Sequence, residues 1–101
     1  MADRPAAVPR VMVDNDRVRV TEWVFAPGAH TGWHVHEMDY VVTPVAGQPV
    51  DMADGEGNLT RVEMIPGQSY FREAGVAHDV INAGEGELRF VETELKAPAG
   101  G

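Results

Sequence analysis

The stretch Gly28-Ala29-His30-Thr31-Gly32-Trp33-His34-Val35-His36-Glu37-Met38-Asp39-Tyr40 carries three of the four histidines in a chain of 101 residues, and its reading decides the fold. His34 and His36 stand one residue apart in a segment that reads as extended. Alternate side chains of a β-strand share a face, so two imidazoles at this spacing point the same way and can converge on one metal ion. Tyr40 has the same parity, and an unbroken strand aims its phenol with them. Asp39 has the opposite parity and is expected to face solvent, as is Glu37. His30, on the glycine-containing loop ahead of the strand, reads as an ordinary loop histidine.

Working outward, short strand-like runs recur between glycine and proline breaks. On the N-terminal side, Met1 to Pro9 suits an extended arm, Arg10–Asp14 and Arg17–Phe25 read as strands joined at Asn15-Asp16, and Pro27-Gly28 ends the second. On the C-terminal side the motif strand is expected to run through Val41-Val42-Thr43 and stop at Pro44. Val50–Ala53 and Leu59–Ile65 then flank the turn Asp54-Gly55-Glu56-Gly57-Asn58 as a hairpin. Gln68–Arg72, His78–Asn82 and Leu88–Leu95 complete the set, and residues 97–101 form a small-residue tail read as flexible. No segment shows a helical period with caps. The expectation is an all-β sandwich or barrel in one domain spanning residues 1–101. Phe25, Phe71, Phe90, Met38 and Met64 are the expected core.

A formal charge of −8 disfavours nucleic acid and anionic membrane surfaces, which are recognised by clustered Lys and Arg. The sequence contains neither an apolar run of membrane-spanning length nor a signal-peptide pattern at Met1, so a cytoplasmic location is expected. With no cysteine in the chain, any metal must be held by nitrogen and oxygen.

Gly28, His34 and His36, followed by Gly67, Gly75, His78 and Asn82, are spaced in a way that resembles the two conserved motifs of the cupin superfamily. The resemblance covers nearly the whole chain and implies a double-stranded β-helix, a small jelly-roll barrel in which His34, His36 and His78 match the metal-binding histidines. Two positions depart from the pattern. A glutamate ligand expected after three or four intervening residues beyond the second histidine is replaced by Tyr40 or Val41, and Glu73 stands where a proline is usual. Thr31-Gly32-Trp33-His34, Asp39-Tyr40-Val41-Val42 and Gly67-Gln68-Ser69-Tyr70-Phe71-Arg72 also look like a subset of short cupins labelled as β-alanine degradation proteins.

Three neutral imidazoles leave the charge of a divalent ion uncompensated, so the bound partner is expected to be a small anionic molecule, a carboxylate or an enolate. Imidazole suits Fe, Ni, Cu, Zn and Mn, and the residues do not choose among them. The resemblance extends to three-histidine dioxygenases, and a redox-free lyase or isomerase step is equally compatible with the ligands. Tyr40 and Glu73 are the candidate catalytic groups, as hydrogen-bond donor or proton carrier. The alternatives are a cupin module that binds or senses a ligand without turnover, and a metal-free barrel whose histidines are hydrogen-bonded in a polar pocket. Asn82 is read as a loop anchor or a support for His78, and the motif glycines as backbone-shape residues. Open sheet edges near the N-terminus suggest a homodimer.

Overall fold

The computed structural model describes residues 4–97, within which nine strands and no helix follow one another. They are β1 (Val8–Asp14), β2 (Val18–Phe25), β3 (His34–Val35), β4 (Asp39–Ala46), β5 (Pro49–Ala53), β6 (Leu59–Glu63), β7 (Tyr70–Arg72), β8 (Ala77–Asn82) and β9 (Leu88–Leu95). Two antiparallel sheets face each other as a jelly roll, one ordered β1-β2-β9-β4-β7 and the other β3-β8-β5-β6. The two turns around Gln48 and Asn82 lie side by side, the Gln48 side chain filling the space that a Cβ at Gly84 or Gly86 would need.

Three differences from the sequence expectation have physical causes. The motif strand is interrupted at residues 36–38, because β3 belongs to the four-stranded sheet and β4 to the five-stranded one, and the chain crosses between them there. Pro44 does not end β4 but sits inside it, opposite Phe90, where the register shifts before Ala46. A proline donates no ladder hydrogen bond and is tolerated at such an irregularity. The N-terminal arm is also shorter than expected: β1 begins at Val8, and ahead of it Ala7 N–H donates to His30 O at 2.9 Å while His30 N–H donates to Pro5 O at 3.0 Å. Residues 1–3 and 98–101, the start of the arm and most of the tail, lie outside the described residues.

The core sits between the sheets. Phe25, Leu88 and Val50 are fully buried, the Phe25 and Phe90 rings lie 5.4 Å apart, and Tyr40, Val42 and Met64 close around them. Phe71, expected in the core, is half exposed, since on β7 it is the neighbouring Tyr70, opposite Val42, that faces the cavity. Met38 is only half-buried. Asn82 is a buried staple: its amide nitrogen donates to Phe25 O at 3.1 Å, Ala26 O at 3.2 Å and Gly86 O at 2.9 Å. That ties the ends of β2 and β8 together and gives the loop-anchor reading: among the described residues the Asn82 side chain bonds to these loops and not to His78.

Candidate metal centre

His34 and His78 are direct cross-strand partners in the β3–β8 pair, so their rings come to the same face with centroids 4.8 Å apart. His36 arrives differently from the parity argument. It lies just beyond β3, where its N–H donates to Val76 O at 2.8 Å while Gly75 N–H donates to its carbonyl at 2.7 Å. That pairing is one residue out of step. The slip occurs at Gly75, whose φ of 103° is left-handed backbone that a side chain disfavours. The three rings converge all the same: the Nε2 atoms of His34 and His36 are 3.0 Å apart and those of His36 and His78 are 3.1 Å apart.

Ligand nitrogens about 2.0–2.1 Å from one ion and at right angles to each other lie ~2.9–3.0 Å apart, so both separations are those of adjacent ligands. Available donor atoms of the trio all fall within 4.8 Å of one another. Their protonation fits as well. Burial lowers the pKa of His36 from 6.5 to about 4, with His34 adding to the effect. Burial also lowers His78 to about 4, reinforced by His34 and His36. Both rings are therefore neutral near pH 7, with a lone pair to give. His34 Nδ1–H donates to Gly32 O at 2.9 Å, which turns the Nε2 lone pair toward the other two rings. Thr31 Oγ1 donates to the same carbonyl and accepts from Val80 N–H, and Asp79 accepts from Gly32 N–H while pairing with His30 Nδ1 at 2.9 Å. His30 thus braces the loop under His34.

The donor set therefore suits a first-row divalent ion. Such an ion would be held by His34, His36 and His78 and would supply a Lewis acid there.

Tyr40 is buried, and its ring stacks on His36 with centroids 3.8 Å apart and planes 16° from parallel. Burial raises the phenol's pKa above its usual range, chiefly by desolvation, so the group stays neutral. Glu73 lies elsewhere. It is exposed in the turn between β7 and β8 and is not among the residues lining the cavity, so the structure leaves it as a turn carboxylate. Asp39 is exposed as expected and accepts a hydrogen bond from Ala74 N–H at 2.8 Å. Glu37, also exposed, reaches the cavity mouth.

The histidines form part of the wall of a cavity of about 420 Å³, a volume suited to a small metabolite. Its opposite wall is the inner face of the five-stranded sheet, and there the structure reveals a group that the sequence reading passed over. Glu92 lines the cavity from β9, and burial raises its pKa from 4.5 to about 7, with Glu94 adding and Arg19 opposing. Glu94 is spoken for by a two-pronged pair with Arg19, at 2.8 and 3.2 Å. A signal was present in the pattern, since Glu92 and Glu94 share the parity of the buried Leu88 and Phe90.

Comparison with known proteins agrees with this architecture. The family model described as the Cupin domain matches residues 21–94. The beta-alanine degradation protein BauB of Pseudomonas aeruginosa is 53% identical over 96 residues, which cover 95% of this chain and 100% of that one. The crystal structure of a cupin domain from Bordetella pertussis Tohama I superposes with a TM-score of 0.91 at 48% identity, covering 96% of this chain and 100% of the other. A cupin superfamily protein from Desulfitobacterium hafniense DCB-2 shares the fold at a TM-score of 0.71 with 14% identity, over 96% of this chain and 84% of that one.

Proposed function

Since the chain belongs to the cupin family, we propose that it is a metal-dependent enzyme that acts on a small carboxylated metabolite. The observation that carries this reading is the convergence of His34, His36 and His78, with Nε2 separations of 3.0 and 3.1 Å, on the wall of a cavity of about 420 Å³. Three neutral donors leave the ion's charge to be balanced by the substrate, which favours an anionic ligand. The name of the 53% identical relative, a beta-alanine degradation protein, supports a β-amino acid or a product of one as that ligand.

The protein's own contribution is to position and to exclude water. Gly32 O fixes the His34 tautomer, the β3–β8 pair sets His78, and the Tyr40 ring holds the plane of His36. Tyr40 also offers a neutral phenol as hydrogen-bond donor to substrate or dioxygen. The reading extends to a dioxygenase step, to a cytoplasmic setting, and to a homodimer through the open edge of β1. Every residue of β1 is exposed, including Val8, Val11, Met12 and Val13, and among the described residues the strand is paired on one side only.

The test begins with metal analysis of protein purified without added metal. Turnover and oxygen uptake then follow with a panel of amino, keto and thiol acids. Stoichiometric metal with turnover is the expected result. Metal with saturable binding and no turnover assigns the chain to the non-enzymatic binding modules, and absence of tight metal overturns the reading. Oxygen uptake decides whether the turnover is oxidative.

A further inference from the structure

Glu92 is the feature of the cavity for which the metal site has no use. It projects from the middle of β9, in register with Thr21 on one side and Val42 on the other, and no ion pair among the described residues involves it. The nearest carboxylate, Glu94, is already neutralised by Arg19. Trp23 lies on the same inner face, and its Nε1–H, though close to Glu92, is buried without completing a hydrogen bond. Tyr70, opposite Val42 in the next row, is another cavity wall, and its phenol is pushed up to about 12 by burial. An unpaired carboxyl among aromatic rings is a costly arrangement for a fold to keep. A cation entering the cavity would offset that cost, both by charge and by contact with the ring faces.

The row geometry places this group at a useful distance. Tyr40, which stacks on His36, is in register with Glu94, and Glu92 lies two residues further along β9, roughly 7 Å on. Thus one cavity is lined by the three histidines and, from the five-stranded sheet, by the carboxyl of Glu92, two positions along β9 from the residue opposite Tyr40.

We propose that Glu92, flanked by Trp23 and Tyr70, is a second recognition point that holds the protonated amine of a short ω-amino acid whose carboxylate faces the three histidines. This rests on the metal-site reading above and narrows its substrate to zwitterions with the two charges at opposite ends. Glu92 is then a specificity residue. Its pKa, raised to about 7 by burial, falls when the ammonium binds, so ligand and ionised carboxylate stabilise each other.

The experiment is calorimetric titration of Ni(II)-loaded protein at neutral pH with β-alanine, with propionate, which lacks the amine, and with 4-aminobutanoate, one methylene longer. Wild type is expected to bind β-alanine about tenfold or more tightly than propionate, the scale of one charge-assisted contact. In Glu92→Gln that ratio falls to near one while the propionate affinity is unchanged. In Glu92→Asp, which keeps the charge but withdraws it by one methylene, preference moves to 4-aminobutanoate. Equal wild-type affinity for β-alanine and propionate overturns the proposal and leaves the metal reading standing, as does a ratio that survives Glu92→Gln. Failure of all three acids to bind overturns the proposal alone, whereas failure of the protein to take up Ni(II) overturns the metal reading beneath it. Thermal melts of the two variants confirm that each is folded before its titration is read.

Discussion

Replacing Tyr40 by Phe removes one oxygen and leaves the ring that lies against His36, so the variant separates two roles of the side chain. Metal content is expected to be unchanged and turnover to fall by about 10²-fold, the range for loss of a positioned proton donor. Loss of metal instead would assign the phenol to the ion. His34→Ala and His78→Ala are expected to fold, by circular dichroism, and to lose tight metal binding in equilibrium dialysis. Glu92 makes a stability prediction of its own. Its folded pKa is raised, so its contribution to stability is fully present below the unfolded value of 4.5 and is lost as pH rises through about 7. Glu92→Gln should therefore unfold at a higher temperature than wild type above pH 7, by about 5 °C for ~1 kcal/mol, with the gap closing in acid. At this scale the three histidines could be read from residue type and spacing. Glu92 could not be picked out with the same ease, because its meaning lies in having no ion-pair partner among the described residues, which only the packed structure displays.

At the scale of the element, the instructive segment is the break at residues 36–38. A parity argument on a continuous strand points to the pair of histidines that converge, through geometry that the chain does not adopt. His34 faces the site because β3 pairs with β8, and His36 faces it because the backbone slips by one residue at Gly75 and crosses to the other sheet. Sequence periodicity registers alternation but not which sheet a strand joins, so the corner stayed hidden while the strands on either side were found. Gly75→Ala tests the slip. A Cβ there meets nothing within 4 Å, so the cost is the left-handed φ alone, ~1–2 kcal/mol, together with weaker metal binding as His36 shifts. Denaturant unfolding and metal titration of the one variant read both effects, and a variant with wild-type metal affinity would show that the slip is not what places His36. Pro44 and Phe71 were misread for related reasons. A bulge admits a proline into β4, and a three-residue strand is too short for its inward face to be recognised by pattern.

Across the whole molecule, two depressed imidazoles make the metal-free protein sensitive to acid. Between pH 6.5 and about 4 the unfolded chain binds protons at His36 and His78 that the folded protein excludes. Stability therefore falls as pH falls through that window. Chemical denaturation across that range should show it. Saturating metal should raise the curve by about 2.7 kcal/mol when present at a hundred times its Kd, an increment that vanishes in His78→Ala. The all-β class and the single jelly roll were readable in advance because strand runs, glycine breaks and both histidine motifs pointed to one architecture. Whether two copies join along β1 is a question for light scattering: a dimer is expected for wild type, and Val11→Lys with Val13→Lys should release monomers without loss of fold.

The short ladder that laces Pro5 and Ala7 to His30 has a practical consequence. His30 braces the loop that delivers His34, so the segment around Pro5 and Ala7 is stitched to the loop that carries a site histidine. A polyhistidine purification handle at the N-terminus adds rival imidazoles to the same chain. Metal counted on such a preparation reports the handle as much as the barrel, and the handle is best cleaved away before the first measurement.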